Sequence, residues 1–337
     1  MIKEAISKII DSRNLTEAEM IQVMDEVMTG AATPAQIGAF LVALRIKGET
    51  VDEITGAARV MREKAVKIDT PIGQTVVDTC GTGGDSAGTF NISTTAAFIT
   101  AGAGLIVAKH GNKSVSSKSG SADLLQALGV NIEAEQSRVE ECFRQCGIGF
   151  LFAPMMHGAM KYAIGPRREI GVRTIFNLLG PLTNPAGAEN QVIGVYSDTL
   201  TEPLANVLKR LGSNHVFVVH GRDGLDEVTL TATTKISELR EGKVTTYDFD
   251  PRKYGFGYCQ PSDLKGEDPQ ANAKITLGIL KGEEKGPKSD VAVMNAAFAI
   301  MAGGKAKDFE DGVSKAKASI ASGAAINKLE DMKRLTN

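Results

Sequence analysis

The run from Asp78 to Thr94 holds four glycines after its first three residues (Gly81, Gly83, Gly84, Gly88), an aspartate, Asp85, and several hydroxyls. It follows the apolar pair Val76-Val77 and opens into a helical pattern through Asn91, Ser93 and Thr94. Glycines let backbone N–H groups close around a phosphate without side-chain interference. A helix start adds unpaired N–H donors and the positive end of the macrodipole. Asp85 inside such an anion-binding loop makes sense only if a cation accompanies the anion. The chemistry predicted is a metal–polyphosphate ligand.

A second candidate is Lys109-His110-Gly111-Asn112, followed by Ser114, Ser116, Ser117, Lys118, Ser119, Gly120 and Ser121. A lysine- and hydroxyl-rich loop opening a helix at Ser121 predicts another anion site, although such a loop alone is as often a solvated turn. Asp226-Glu227 is the third piece, because Mg²⁺ takes one or two carboxylates together with substrate phosphates and water. Residues 165–185 are the fourth, carrying Arg167, Arg168 and Arg173 next to an apolar, proline-bounded segment. A guanidinium there is either surface charge or a clamp for an organic carboxylate, and the pattern leaves both open. Neither Rossmann glycine spacing nor a Gly-Lys-Ser/Thr phosphate loop is present.

The elements that must position these residues fall into two kinds. The first seventy residues read as helices. Capping boxes at Thr16/Glu19, Thr33/Gln36 and Thr50/Glu53 start them, and Gly30 and Gly48 stop them. Leu15 and Met20 have hydrophobic-staple spacing, and Ile37, Phe40, Leu41 and Leu44 form an apolar stripe. After Pro71 the pattern becomes strand–loop–helix. Strands are expected over 76–78, 105–109, 148–152, 192–196 and 216–220, with helices over 94–101, 122–128, 138–146 and 202–211. Ser137 with Glu140 reads as a further capping box. An antiparallel hairpin is expected within 229–250, loop over 255–269, a buried helix over 290–302, and amphipathic helix to the end.

The fold class is therefore α/β: a small all-helical N-terminal domain over 1–70, then a large domain over 71–337. In a sheet with helices on both faces, ligands sit beyond the carboxyl ends of the strands. That puts the first two loops on one rim.

With 337 residues and a formal charge of −2, the chain lacks the general basic character of nucleic-acid or anionic-membrane binders. No run is long and apolar enough for a membrane span, and Met1-Ile2-Lys3-Glu4-Ala5 reads as helix and not as a signal peptide, so a cytoplasmic protein is expected. Cys142 and Cys146 lie one helical turn apart without a second metal half-site, and are read as packed thiols. Cys80 is read as a small filler.

Taken together, Gly81-Thr82-Gly83-Gly84-Asp85, Asn91-Ile92-Ser93-Thr94, Lys109-His110-Gly111-Asn112, Arg167 ahead of residues 173–181 (RTIFNLLGP) and Asp226-Glu227 resemble the anthranilate phosphoribosyltransferase family of tryptophan biosynthesis. The motifs occur in the family's order, and the resemblance covers essentially the whole chain. It implies a helical domain, completed by helices from about 157–185, and an α/β domain with a mixed, mostly parallel central sheet flanked by helices. It also implies a homodimer formed through the helical domains. The implied reaction moves the phosphoribosyl group of phosphoribosyl pyrophosphate to the amine of anthranilate.

Carried over by residue, Gly81, Gly84, Asp85, Thr89, Asn91, Ile92, Ser93 and Thr94 would hold phosphoribosyl pyrophosphate. Lys109, His110, Gly111, Asn112, Lys113, Ser114, Val115, Ser116, Ser117 and Ser121 would complete its site. Ser93, Asp226 and Glu227 would engage two Mg²⁺ ions per subunit. Asn112 and Arg167 would hold anthranilate, so that Lys109, Asn112 and Arg167 carry the catalytic roles. His110 is a tempting base, with a structural donor role weighing at least as much.

Two other readings share the architecture. One is a pyrimidine nucleoside phosphorylase, which would not need Asp226-Glu227 as a metal pair. The other is a non-catalytic nucleic-acid-binding relative, which should show a basic surface and eroded motifs.

Overall fold

The computed structural model describes residues 1–85, 87–114 and 118–337. Four helices come first: α1 (Ile2–Ile10), α2 (Glu17–Thr29), α3 (Pro34–Lys47) and α4 (Val51–Lys64). All three expected capping boxes form with both hydrogen bonds present, and Gly30 ends α2 in the left-handed conformation with φ 79°. The Leu15–Met20 staple is buried at both ends. Glu53, 0% exposed, accepts from the Leu15 N–H at 2.9 Å and pairs with the Lys47 ammonium at 2.9 Å. One cap residue therefore also locks the α1–α2 connection to the corner between α3 and α4.

The remainder alternates. β1 (Val76–Gly81), α5 (Ile92–Gly102), β2 (Ile106–Gly111), α6 (Ser121–Ala127), α7 (Gln136–Gln145) and β3 (Ile148–Phe152) form the first half of the sheet. Then come α8 (Ala153–Met156), α9 (Lys161–Ile170), α10 (Phe176–Leu179), β4 (Asn190–Gly194), α11 (Thr201–Arg210) and β5 (His215–Gly221). The hairpin β6 (Thr234–Arg240) and β7 (Lys243–Phe249) leads to α12 (Pro269–Leu280), α13 (Pro287–Ala302), α14 (Phe309–Ala321) and α15 (Ala324–Thr336).

The seven strands lie in the order β3-β2-β1-β4-β5-β6-β7. β1 to β5 are parallel, and β6 and β7 are antiparallel additions at the edge. Glu241 and Gly242 have φ of 51° and 71°, the double positive φ that a tight hairpin of native twist requires. Because β2 and β3 build outward on one side of β1 and β4 and β5 on the other, the strand order reverses at β1/β4. A crevice must open there, beyond the carboxyl ends of the strands.

Side chains alternate between the two faces along the strands. Phe217 and Val219 of β5 pack under α5, α12, α13 and α15, whereas Val216 and Val218 join the core shared with α1–α4, α9, α10 and α11. Phe298 of α13 meets Phe217 edge-on, with ring centroids 5.0 Å apart. The helices α9 and α10 share their apolar core with the first four helices.

Two local expectations are corrected. Ser137 does not cap: α7 starts two residues earlier, after Glu135, and Glu140 is used elsewhere, accepting from Gln136 Nε2 at 2.8 Å and the Asp69 N–H at 3.3 Å. The segment 255–269 is not plain loop, because Pro261–Leu264 forms a 3₁₀ turn and Lys265 bridges to Thr89.

Candidate active site

Parallel pairing brings the ends of β1, β2, β4 and β5 to one rim, and both expected anion loops lie on it. After Gly81 the chain turns through Gly83 (φ 65°) and Gly84 (φ 79°), both in the region that favours glycine. The Thr82 N–H donates to the Gly194 carbonyl at 2.9 Å, tying the loop to the end of β4. The Gly83 N–H donates to Asp226 Oδ2 at 2.9 Å, and the Ser93 N–H at the start of α5 donates to Glu227 Oε1 at 3.1 Å. The acidic pair, distant in sequence, therefore holds both ends of the glycine loop. Gly194 makes the approach feasible: a Cβ there would lie 1.6 Å from the Asp226 carbonyl oxygen.

Asp85, Asp226 and Glu227 face one another across this crevice. Burial, followed by the charge of Asp85 and a hydrogen bond shared with it, pushes Asp226 up to about 7. Burial and then the charge of Asp226 hold Glu227 well above the usual carboxylate range, with Lys109 acting in the opposite direction. Carboxylates crowded in this way carry more negative charge than Lys109 offsets. Among the described residues no group of three or more His, Cys, Asp or Glu side chains is arranged to hold an ion by itself. One or two carboxylates awaiting a ligand's own oxygens are the donor set that Mg²⁺ uses, so the residues fit that ion.

Lys109 lies beneath the loop and not in the open crevice. Its ammonium donates to the Thr79 carbonyl, is buried, and has its pKa pulled down by desolvation, while Asp78, Cys80 and Glu227 pull it up. Asp78, 0% exposed, accepts from Asn184 Nδ2 at 2.8 Å and from the His110 N–H at 3.2 Å. Lys109 therefore supplies positive charge from below the acidic cluster.

His110 is also turned inward. Its Nδ1 lies 3.1 Å from the Gly180 carbonyl and its Nε2 lies 3.2 Å from His157 Nε2. A carbonyl only accepts, so Nδ1 carries the proton and Nε2 accepts from His157. Desolvation holds His110 down at about 3 and His157 at about 4, so both are neutral near pH 7. With both ring nitrogens occupied, His110 is a structural link between the end of β2 and the segment after α10, and not a free base.

The second loop is held by α6. Asp123 Oδ2 accepts from the Ser114 N–H at 2.9 Å and the Gly120 N–H at 2.8 Å. The Asn112 carbonyl accepts from the Ala122 N–H at 3.2 Å and Ser121 Oγ at 3.3 Å. Gly111, Asn112, Lys113, Ser114 and Ser121 line its base, and the Asn112 side chain is exposed, with Oδ1 accepting from the Lys113 N–H at 2.8 Å. Val115, Ser116 and Ser117 lie outside the described residues.

Two expected ligand residues face away from the crevice. Ile92 is core, and Thr94 is buried beside Phe98, Lys109 and Phe150, its hydroxyl without a hydrogen-bond partner among the described residues. Their side chains do not reach the rim.

Arg167, on α9, is half-buried over the Phe176 ring with its guanidinium carbon 5.0 Å from the centroid. Burial lowers its pKa, and no acidic side chain among the described residues forms an ion pair with it. Arg173 is engaged: it donates to the Gly84 carbonyl and stacks over Tyr196 at 4.4 Å. Of these two arginines, Arg167 is the one left for an incoming carboxylate.

Asp78, Asp123, His157, Asn184 and Gly194 were not assigned a role from sequence. Only Gly194, a glycine at the end of an apolar strand run, carried a readable signal of close backbone approach.

An α/β sheet joined to a helical bundle, with a glycine loop at the switch point, is the two-domain layout that matches a glycosyl transferase family. Residues 3–65 match the family model for the glycosyl transferase helical bundle domain, and residues 73–326 match that for its a/b domain. The anthranilate phosphoribosyltransferase of Geotalea uraniireducens (strain Rf4) is 55% identical over 350 aligned positions covering 100% of both chains. The solved anthranilate phosphoribosyltransferase of Thermus thermophilus superposes with a TM-score of 0.92 at 42% identity, covering 98% of this chain and 99% of that one. That of Saccharomyces cerevisiae, solved in complex with PRPP (phosphoribosyl pyrophosphate) and Mg, gives 0.89 at 28% identity, covering 99% and 97%. The chain belongs to the anthranilate phosphoribosyltransferase family.

Proposed function

We propose that this chain transfers the phosphoribosyl group of phosphoribosyl pyrophosphate to the amine of anthranilate, the second step of tryptophan synthesis from chorismate. The bond from the anomeric carbon to pyrophosphate breaks, a bond from that carbon to the anthranilate nitrogen forms, and the amine loses a proton. The observation that carries this reading is the meeting of Asp226 and Glu227 with both ends of the glycine loop. It is an acidic cluster inside an anion loop, and a metal-bound pyrophosphate ester resolves that contradiction.

Ser93, Asp226 and Glu227 would hold two Mg²⁺ ions per subunit, which neutralise developing charge on the leaving pyrophosphate. Backbone N–H groups around Gly81, Gly84, Asp85, Thr89 and Asn91 bind the phosphates and ribose, with Asn112, Lys113, Ser114 and Ser121 contributing from the second loop. Lys109 acts from beneath, opposing the upward shift of Glu227 that burial and Asp226 produce. Arg167 pairs with the anthranilate carboxylate and, with Asn112, aims the amine at the anomeric carbon. Orientation of this kind supplies roughly 7 kcal/mol or more of the barrier. An aromatic amine is already nucleophilic, which suits a site in which His110 has both ring nitrogens engaged.

The domain division falls near residue 70, with residues 157–185 completing the helical domain. Ile10, Val42 and Ile46 are exposed on α1 and α3 and favour a homodimer through that domain. Four unbridged cysteines favour a reducing, cytoplasmic setting.

Loss of anthranilate fluorescence with phosphoribosyl pyrophosphate and Mg²⁺ tests the activity. Phosphorolysis of a pyrimidine nucleoside by folded protein that leaves anthranilate untouched would overturn it.

A further inference from the structure

Asn91 breaks a local rule. It occupies the N-cap position of α5, where asparagine ordinarily accepts from the helix's own first N–H groups, yet its side chain makes no such bond. The amide is turned outward. Nδ2 donates to the Ser119 carbonyl at 3.1 Å, and Oδ1 accepts from Ser119 Oγ at 3.1 Å and from Asn272 Nδ2 at 3.1 Å. Asn91 therefore joins the first anion loop to the second, and the third member of the junction comes from α12.

Asn272 is 1% exposed, and both ends of its amide are used. Oδ1 accepts from the Glu267 N–H at 2.9 Å while Nδ2 donates to Asn91. One turn later on the same face, Thr276 lies 3.0 Å from Thr95 Oγ1, whose own proton goes to the Asn91 carbonyl at 3.1 Å. The Thr276 hydroxyl is then the donor of that pair. Thus α12 holds Asn91 at the side-chain oxygen directly and at the main-chain oxygen through Thr95. The preceding segment adds backbone contacts: the Phe90 N–H donates to Leu264 at 3.2 Å and the Gly266 N–H to Gly88 at 2.9 Å. Gly266 has to lack a side chain, since a Cβ would lie 2.6 Å from the Phe90 nitrogen and from Asn272 Oδ1.

We propose that Asn272, seconded by Thr276, is a positioning residue that sets the spacing of the two phosphate-binding loops by fixing the orientation of the Asn91 amide. Asn272 bonds to Asn91 and Thr276 to Thr95, both at the start of α5 where the two loops meet, so their effect falls on the phosphoribosyl pyrophosphate side. The inference rests on the reaction proposed above.

The test is steady-state kinetics with each substrate varied in turn, on the wild type, Asn272→Asp, Thr276→Val and Thr276→Ser, with a melting curve for each. Asn272→Asp keeps the acceptor for Glu267 but sets a carboxylate against Asn91 Oδ1. An answering flip of Asn91 would place its oxygen against the Ser119 carbonyl. KM for phosphoribosyl pyrophosphate rises about tenfold or more, while KM for anthranilate stays within about twofold. Thr276→Val raises the same KM about two- to threefold, and Thr276→Ser restores it. Should Asn272→Asp fail to fold, the Thr276 pair decides. Unchanged kinetics, or equal changes in both KM values, overturn the proposal. A wild type with no turnover fails the reaction itself, which is a separate outcome.

Discussion

The helical front end and the rim of the sheet follow opposite rules. In α1–α4 nearly every local preference is met: three complete capping boxes, a buried staple, and a buried Glu53 that has Lys47, two backbone N–H groups and a hydroxyl to answer it. On the rim, preferences are violated together. Three carboxylates face one another, a lysine is buried with a lowered pKa, an N-cap asparagine does not cap, and a half-buried arginine has no acid to pair with among the described residues. Consistency across levels is what specifies a scaffold, whereas clustered violations mark a place that a ligand completes. The contrast implies that damage at the rim costs activity without costing stability, and the reverse holds at the helical end.

The largest test of that separation is the double replacement Asp226→Ala, Glu227→Ala. Activity falls about a thousandfold, the scale of losing a main electrostatic element of a site. The melting temperature without ligand holds or rises, because mutual repulsion is gone. A large loss of stability would break the comparison.

Arg167→Ala comes next. Losing a charge-assisted bond to a carboxylate raises KM for anthranilate roughly 10- to 100-fold, while binding of phosphoribosyl pyrophosphate is spared. Equal damage to both substrates would contradict the assignment.

A smaller effect is read in pH. Asp226 binds its proton more tightly when folded, about 7 against an ordinary carboxylate. Between about pH 4 and 7 the native state therefore carries more protons than the unfolded chain, and its stability falls as pH rises through that window. Asp226→Asn removes this contribution, so the difference in stability between variant and wild type grows from pH 4 to 7. A difference independent of pH would count against the crowding of these carboxylates.

The smallest lies at the other end. Thr16→Ala removes a capping box at a cost of about 1 kcal/mol, measured by denaturant unfolding, with turnover unchanged.

What was legible in sequence follows the same division. Capping boxes are local, so Thr16, Thr33 and Thr50 could be read directly, and Ser137 was misread because Glu140 is used by Gln136 and Asp69 instead. The glycine loop, the Lys109 segment and Asp226-Glu227 announced themselves by composition, and strand order brought them to one rim. Side-chain direction was not legible. The burial of Thr94 and Ile92, and of Lys109 below the loop, depends on which face of α5 and β2 meets the core. Asn184 and Asn272 are polar residues that reach Asp78 and Asn91, each more than a hundred positions away, and a single sequence does not reveal such pairing.

The central claim is that a metal–phosphoribosyl pyrophosphate complex supplies what the rim lacks. Thermal melting of the whole protein with Mg²⁺ alone, with phosphoribosyl pyrophosphate in EDTA, and with both together tests it most directly. Only the combination should raise the melting temperature strongly, with free ligand at 100 times Kd stabilising by about 2.7 kcal/mol, and the Asp226→Ala, Glu227→Ala variant should lose that gain. An equal rise in EDTA, or one that survives in the variant, would contradict the account.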